Sequence, residues 1–248
     1  MSGYVSAGRT WAFALALAAS AACAACDTTQ VIPDPVPCSA GFLGDAGSPV
    51  DFEFLAVDPA YDAVTLDDGG ALSILTPPQG GRVVFVGVRA TNLDSCGVQL
   101  TGAVRDPTTQ QVRFDMRTVN LIATGDGWGV TGPIGASVSG TVSNFANIPV
   151  CPNQWSTMDV DGNPYALEVT LTDRGGRTVE KKIQVTPGCG EPATLAECQC
   201  ICGAGYVLGS VCPIADASAD VDANVDASVL VDADADADVD ASLPGVHE

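Results

Sequence analysis

Residues 165–186, with the sequence YALEVTLT-DRGG-RTVEKKIQVT, decide the fold of the chain. Apolar residues occupy every second position of its first part, which is the two-residue period of a half-buried β-strand. Residues 173–176 break this run with turn-forming types, since glycines can adopt positive φ angles. A second alternating run returns over residues 177–186. Because an isolated two-stranded hairpin is marginally stable in water, this hairpin must pack its apolar face on further strands.

The segment before this hairpin supplies the further strands. Short alternating apolar runs recur from residue 50 onward, separated by Gly, Pro, Asp and Asn residues. About eight such runs with few helical signals predict an all-β domain, an antiparallel β-sandwich over residues 48–188. Residues 83–90 are almost continuously apolar, which predicts a central strand that is covered on both faces.

The last hairpin also resembles a known type of domain. Tyr165 opens its first strand, and a polar glycine-containing turn leads into the second strand. Bacterial immunoglobulin-like and PKD-like domains end in a hairpin of this kind. The resemblance covers residues 50–188 and implies an immunoglobulin-like topology for the sandwich.

Lys181 interrupts the apolar positions of the last strand, between Val179 and Ile183. A charge that points inward at a sheet edge hinders edge-to-edge pairing with another molecule. A β-bulge at this position is an equal alternative, and a catalytic lysine is a third interpretation.

The chain begins with the features of an export signal. Arg9 is the single cation of residues 1–10, and residues 11–22 form an unbroken run of apolar and small residues. This run is shorter than the roughly 20 residues that a membrane-spanning helix requires. Residues 1–25 are therefore predicted to be a signal peptide. Residues 26–47 are predicted to be a tether, in which alternating prolines favour an extended chain.

Small residues precede two cysteines in the sequence SAACAAC of residues 20–26. This pattern resembles the lipobox of bacterial lipoproteins, in which a cysteine becomes the lipidated N-terminus. The resemblance implies a lipid on Cys26, with Cys23 as the alternative, and an exported protein that is anchored in a membrane of the bacterial cell envelope. Ordinary signal-peptidase cleavage at an Ala-x-Ala site is the other interpretation.

The number of cysteines favours Cys26 as the lipidated residue. Of the ten cysteines, cleavage before Cys26 removes Cys23 and reserves Cys26 for lipid, which leaves an even number for disulfides. Even numbers are expected in an oxidising compartment. The disulfide candidates are Cys38, Cys96, Cys151, Cys189, Cys198, Cys200, Cys202 and Cys212. Within the sandwich, we hypothesise a bond between Cys96 and Cys151 and a second bond, Cys38–Cys189, that joins its two ends.

Residues 189–213 are rich in cysteine. The sequence CICGAGY of residues 200–206, followed by Cys212, resembles the C-terminal part of EGF-like modules. The resemblance implies a Cys202–Cys212 bond in a segment that is too small for an apolar core and depends on crosslinks. A zinc site is the alternative, but the compartment and the Cys-x-Cys spacing favour disulfides.

The charge of the chain is strongly negative and uneven. Thirty acidic and ten basic residues give a formal net charge of −20, and residues 215–248 contain nine Asp and one Glu without any Lys or Arg. Such a charge repels phosphate groups, so we expect no nucleic-acid partner. Residues 214–248 are predicted to be a disordered Asp/Ala/Val-rich tail, with weak cation binding as the alternative.

The composition offers little material for catalysis. His247 is the only histidine and lies in the acidic tail, so the folded part lacks Ser-His-Asp and Cys-His groups. Paired carboxylates are the remaining arrangement, as in glycosidases. We expect neither enzymatic activity nor a cofactor.

Residues 159–163, with the sequence DVDGN, resemble a fragment of a calcium-binding EF-hand loop. The glycine falls at the fourth position of the loop rather than the sixth, however. A simple turn before the hairpin is the plainer interpretation, and Asp159 and Asp161 are weak calcium candidates.

Two functional hypotheses follow from the sequence. In the first, a lipid-anchored envelope or cell-surface protein binds a surface protein or a glycan, with Trp128 and Trp155 as candidate contacts. In the second, it is a passive structural spacer; a small carboxylate-based hydrolase is a third alternative. Exposed tryptophans would favour binding, whereas burial of both would favour the spacer.

Overall fold

The computed structural model describes Cys38 and residues 40–213. The predicted signal peptide, the lipidation at Cys26 or Cys23, most of the tether and the acidic tail lie outside the described residues. The strands are β1 (Phe42–Leu43), β2 (Asp51–Val57), β3 (Ala63–Thr65), β4 (Gly70–Ile74), β5 (Arg82–Thr91), β6 (Leu93–Asp94), β7 (Val98–Arg105), β8 (Val112–Val119), β9 (Ile122–Ala123), β10 (Trp128–Val130), β11 (Ala146–Cys151), β12 (Tyr165–Thr172) and β13 (Thr178–Cys189). The helix α1 (Leu195–Cys202) and the 3₁₀ turns Val142–Asn144 and Pro192–Thr194 complete the described elements.

The strands form two large sheets and one small one. The six-stranded sheet has the order β3-β2-β5-β10-β9, with β11 beside β10 on the same edge of β5. The five-stranded sheet has the order β4-β13-β12-β7-β8, and β1 pairs with β6. The predicted all-β class is therefore confirmed. Within the described part of the chain, no helix is both long and apolar enough to span a membrane.

The prediction of a wholly antiparallel arrangement is wrong for one strand pair. β4 runs parallel to the last part of β13, with Val185 opposite Gly70 and Cys189 opposite Ile74. Alternation of apolar residues reports which face of a strand is buried, and it carries no information about the direction of the neighbouring strand. The other named strand pairs are antiparallel.

The hairpin predicted from residues 165–186 is confirmed as β12 and β13. Its ladder is regular from Tyr165 opposite Val185 to Thr172 opposite Thr178. Asp173 closes the turn, since its carboxylate accepts hydrogen bonds from the backbone and the guanidinium of Arg177 at 2.6–2.9 Å. The strands therefore meet in the register that the alternating pattern requires.

One main hydrophobic core lies between the two large sheets. Phe52 and Val86 contribute to it from the six-stranded sheet, and Leu100, Leu167 and Val169 from the five-stranded sheet. All five side chains are essentially inaccessible to solvent. Burial of these alternating residues is the main contribution to the stability of the fold.

A second hydrophobic cluster covers the outer face of β5. Phe85 points into it and meets Val138 and Phe145 from the loop between β10 and β11. Gly87 makes room for this loop, because a Cβ atom there would lie 2.5 Å from the Phe145 ring and 2.2 Å from Thr131 Oγ1. The prediction that residues 83–90 form a central strand covered on both faces is thus confirmed.

Charged side chains join the two sheets along both of their open sides. Lys181 of β13 points inward, as predicted, and its Nζ lies 2.6 Å from Asp51 Oδ1 and 2.5 Å from the Phe52 carbonyl oxygen of β2. On the opposite side, Asp115 Oδ2 of β8 accepts a hydrogen bond from the Asn147 nitrogen of β11 at 2.7 Å. The alternative of a β-bulge at Lys181 is wrong, because the β12–β13 ladder has no register shift.

Candidate binding surface

The two chain ends of the described domain lie far apart. Cys38 is bonded to Cys96, two residues before the start of β7. β13 starts with Thr178 at the level of Gln99 near the start of β7, since both residues pair with the same residue of β12. From there β13 runs to Cys189, a span of roughly 36 Å at ~3.3 Å per residue. The C-terminal cap, which we define as residues 190–213, therefore lies at the end opposite Cys38.

All eight cysteines among the described residues form disulfides, which confirms the predicted disulfide-rich character. The bonds are Cys38–Cys96, Cys151–Cys202, Cys189–Cys198 and Cys200–Cys212. The expected pairings Cys96–Cys151, Cys38–Cys189 and Cys202–Cys212 are wrong.

The position of α1 explains the observed pairing. Cys198 and Cys202 are four residues apart, so they project from the same face of the helix toward the sheets. Both are buried, and they bond to Cys189 and Cys151 at the ends of two strands. Cys200 projects from a different face of the helix, and its disulfide with Cys212 closes a loop. The cap is thus held on the domain by two disulfides, Cys151–Cys202 and Cys189–Cys198.

The two calcium candidates hold the cap in place. Asp159 Oδ1 accepts a hydrogen bond from the Ala204 nitrogen at 2.6 Å. Asp161 Oδ1 accepts from the Cys189 nitrogen at 2.8 Å, and its Oδ2 accepts from Gln199 Nε2 at 3.1 Å. Both carboxylates are therefore hydrogen-bond acceptors that join the turn to the cap, and Asp161 also joins it to the end of β13.

A buried cation provides a second polar attachment of the cap. The Arg82 side chain is only 4% exposed, and it contacts Glu197 Oε2 of α1 at 3.0 Å. It also donates to the Thr76 hydroxyl, which in turn donates to Glu191 Oε2 at 2.6 Å. Two acidic residues of the cap are thereby connected to the loop between β4 and β5.

The sulfur atoms of Cys189, Cys198 and Cys202 lie within 4.8 Å of one another, as in a metal site. Each of them is bonded in a disulfide, however. Zinc binds thiolates, which these atoms cannot provide while oxidised. The geometry therefore agrees with the disulfide interpretation of this cluster.

Trp155 belongs to the core, so it is not the surface contact that the first hypothesis required. Its side chain is 3% exposed, and its Nε1 donates to the Val150 carbonyl oxygen at 2.8 Å. Its ring lies 5.4 Å from the buried ring of Tyr165. Tyr165 packs against it from the next strand in sequence, a contact that the local sequence of Trp155 does not reveal.

Trp128 is half-buried on β10 and is engaged by a neighbouring cation. The Arg89 guanidinium lies 4.3 Å from the centroid of its ring. The Arg89 guanidinium also forms ion pairs with the carboxylates of Glu53 at 2.8 Å and Asp126 at 2.7 Å. The Thr124 hydroxyl, and then Arg89, lower the pKa of Asp126 to about 2. One face of the tryptophan is therefore occupied by an ion-pair network of the protein itself.

A different apolar surface is exposed on the cap. Val207 and Leu208 are each 68% exposed and Val211 is 97% exposed. All three lie in the loop that the Cys200–Cys212 disulfide closes, which we call the cap loop (residues 203–211). The sequence analysis did not identify them. A signal was present, because residues 198–215 contain no charged residue in a chain of net charge −20.

A cleft of about 500 Å³ opens between β2 and β13. Its lining includes Glu53 and Asp68, both of which are already engaged by the protein. Glu53 bonds Arg89, and Asp68 Oδ1 accepts from the Gln184 nitrogen at 2.7 Å. The carboxylates of Glu53 and Asp68 are therefore hydrogen-bonded within the fold, whereas the third carboxylate of the lining, that of Asp67, is exposed.

No protein-family model matches the sequence, and no curated protein is significantly similar to it.

Proposed function

We propose that this protein is a non-catalytic lipoprotein of the bacterial cell envelope, anchored through a lipid on Cys26, whose folded domain presents a binding surface to a surface protein or a glycan. The observation that carries the proposal is the separation of the two ends of the domain. The chain enters at Cys38, and the exposed apolar residues of the cap loop lie at the opposite end. An anchor before Cys38 would therefore be attached at the end of the domain that is remote from this loop.

The rigid attachment of the cap supports a binding role over a passive one. Two disulfides and the carboxylates of Asp159 and Asp161 fix the cap in one orientation. Pre-organisation of this kind reduces the entropy that a binding surface loses on association. A spacer requires length and solubility, and it has no need of a fixed apolar loop.

We further infer that the domain is an immunoglobulin-like β-sandwich. The two large sheets share one core, and the final hairpin opens with the buried Tyr165. The hydroxyl of Tyr165 hydrogen-bonds Ser156 at 2.7 Å and the Asp159 carbonyl oxygen at 3.2 Å. These features support the topology implied by the resemblance of the hairpin.

The experiment that tests the proposal is the intact mass of the protein purified from native membranes, before and after reduction. We expect a mature chain that begins at Cys26 and carries a diacyl or triacyl increment. Reduction should then add the mass of eight hydrogens, two for each of the four disulfides. A lipid-free mature chain would contradict the anchored function.

The passive spacer remains the second candidate, because one specific observation favours it. Trp155 is buried, and Arg89 covers one face of Trp128, so the tryptophan surface of the binding hypothesis does not form. The two functions differ in what the cap loop does. A spacer should tolerate polar residues at Leu208 and Val211 without any change in its cellular associations.

A further inference from the structure

The cap loop has a defined conformation that is held by hydrogen bonds. The Ser210 nitrogen donates to the Val207 carbonyl oxygen at 3.0 Å, which closes a four-residue turn. Gly209 occupies its third position with φ +90°, the conformation that a type II turn requires there. The Tyr206 hydroxyl donates to the Ser210 carbonyl oxygen at 3.3 Å. Leu208 therefore occupies the second position of a turn that is held by the Ser210–Val207 and Tyr206–Ser210 hydrogen bonds.

The exposure of the cap loop is unusual for aliphatic side chains. Val207, Leu208 and Val211 lie within five consecutive residues, and each exposes more than two thirds of its surface. Single exposed apolar residues are ordinary on soluble proteins, whereas a cluster on a fixed loop marks an interaction site. These side chains offer shape and apolar area but no hydrogen-bonding groups, which suits a pocket in a protein better than a glycan.

The charge around this loop indicates the sign of its partner. Lys182 is the last Lys or Arg of the chain, and nine Asp and three Glu follow it. Asp216 comes only three residues after Pro213, the last described residue of the cap. An uncharged apolar loop is thus followed directly by a strongly acidic segment.

The same charge argues against two other occupants. Anionic lipid headgroups would be repelled by the acidic segment, so insertion of the loop into a bilayer is disfavoured. Association with a second copy of the chain is disfavoured as well, because the two acidic segments would repel each other. A protein with an apolar pocket surrounded by basic residues would fit both the apolar loop and the acidic segment. The pocket would accommodate the loop, and the basic residues would complement the carboxylates.

We infer that the cap loop is the docking element for a partner protein with an apolar pocket and a basic rim. This inference rests on the proposed function and specifies its partner. Leu208 and Val211 fill the pocket, and the acidic residues that follow accelerate association and make it sensitive to salt.

The first step of the test is photo-crosslinking in cells that make the full-length protein. A photoreactive amino acid is placed at Val211, and in a control protein at Met116 on β8, which is 54% exposed. We expect a discrete protein adduct from position 211 and none from position 116. The partner is then purified, and its binding to the full-length protein is measured directly.

The binding measurement decides the inference. Leu208→Ser with Val211→Ser should weaken the affinity about 30-fold or more, as expected for central apolar contacts. The control, Phe114→Ser with Met116→Ser, removes two apolar residues of β8 that are 62% and 54% exposed and should leave the affinity unchanged. Added salt should weaken binding by the wild-type protein.

Several results would overturn the inference. In the crosslinking experiment these results are the same adduct from both positions, no adduct, an adduct with a second copy of this chain, or an adduct with an acidic partner. Loop-dependent retention of the protein on vesicles of phosphatidylethanolamine and phosphatidylglycerol would also overturn it. The intact-mass experiment is independent of all of them. A lipidated protein without a loop partner refutes the inference alone, and a lipid-free protein refutes the anchored function while the loop remains testable.

Discussion

Asp161 Oδ1 lies 2.8 Å from the backbone nitrogen of Cys189, the last residue of β13. The other oxygen of the same carboxylate accepts from Gln199 Nε2 in α1 at 3.1 Å. Asp161 therefore contacts both the strand that leads into the cap and the helix that forms it. Charge-assisted hydrogen bonds of this kind are stronger than neutral ones, so this residue is a principal attachment of the cap.

Asp161→Ala should destabilise the domain by about 1–3 kcal/mol, because the Cys189 nitrogen loses its acceptor. The measurement is urea unfolding followed by fluorescence. Asp67→Ala, which removes an exposed acid, is the control and should have little effect. Added calcium should leave the unfolding midpoint of the wild type unchanged, and a calcium-dependent rise that requires Asp161 would show that the carboxylate binds the ion.

The Arg82–Glu197 pair should behave as a partly buried ion pair. Glu197→Ala leaves Arg82, whose side chain is 4% exposed, with one acceptor fewer, and should cost about 1–2 kcal/mol. Replacement of both residues by methionine should recover most of this loss, since apolar isosteres of buried pairs are often neutral. A double-mutant cycle measures the coupling. Additive effects of the two substitutions would show that the pair contributes nothing.

Peptide mapping of the oxidised protein should recover four crosslinked pairs. The expected pairs are Cys38–Cys96, Cys151–Cys202, Cys189–Cys198 and Cys200–Cys212. Removal of Cys151 and Cys202 together should cost more stability than removal of Cys200 and Cys212, because the first bond closes the longer loop. A Cys202–Cys212 peptide would instead support the pairing of EGF-like modules.

The sequence predicted those parts of the fold that depend on local periodicity. The alternation in residues 165–186 is enough to place β12 and β13, and the continuous apolar run identifies β5 as a central strand. The parallel pairing of β4 with β13 could not be predicted in this way. It joins residues more than a hundred positions apart, and no property of either strand encodes the direction of its neighbour.

The candidate site was less predictable for the same physical reason. Trp128 and Trp155 both lie in segments that contain glycine or proline, so their local sequences do not distinguish them. Their tertiary contacts do. Trp155 packs against Tyr165 and donates to the Val150 carbonyl oxygen, whereas Arg89 covers one face of Trp128. The disulfide partners likewise depend on where α1 packs, which spacing between cysteines does not determine.

The two tryptophans should differ in stability and in fluorescence. Trp155→Phe should cost about 2–4 kcal/mol, since it leaves a small cavity and an unpaired Val150 carbonyl oxygen. Trp128→Phe should cost less than about 1 kcal/mol, the range of an exposed cation–π contact. When the protein is produced without residues 1–25, which contain Trp11, each variant keeps one tryptophan, and acrylamide should quench Trp128 strongly and Trp155 weakly. Equal quenching would contradict the burial of Trp155.

Glu168 should make the stability of the domain depend on pH in the acid range. Its hydrogen bonds with Arg105, and then with Lys182, lower its pKa from 4.5 to about 2 against the opposing effect of burial. Because the folded state holds the proton less tightly than the unfolded state, the contribution is fully present above pH 4.5 and is lost as the pH falls toward 2.

The size of this contribution is limited by solvent. The Lys182 side chain is 51% exposed and that of Arg105 is 31% exposed, so screening reduces the contribution to about 1 kcal/mol. Glu168→Gln should therefore be less stable than the wild type at neutral pH by about this amount, and the two proteins should converge near pH 2. Asp67→Asn, which changes an exposed acid outside these ion pairs, is the control. A difference between Glu168→Gln and wild type that stays constant across this range would mean that the ion pairs with Arg105 and Lys182 are not its cause.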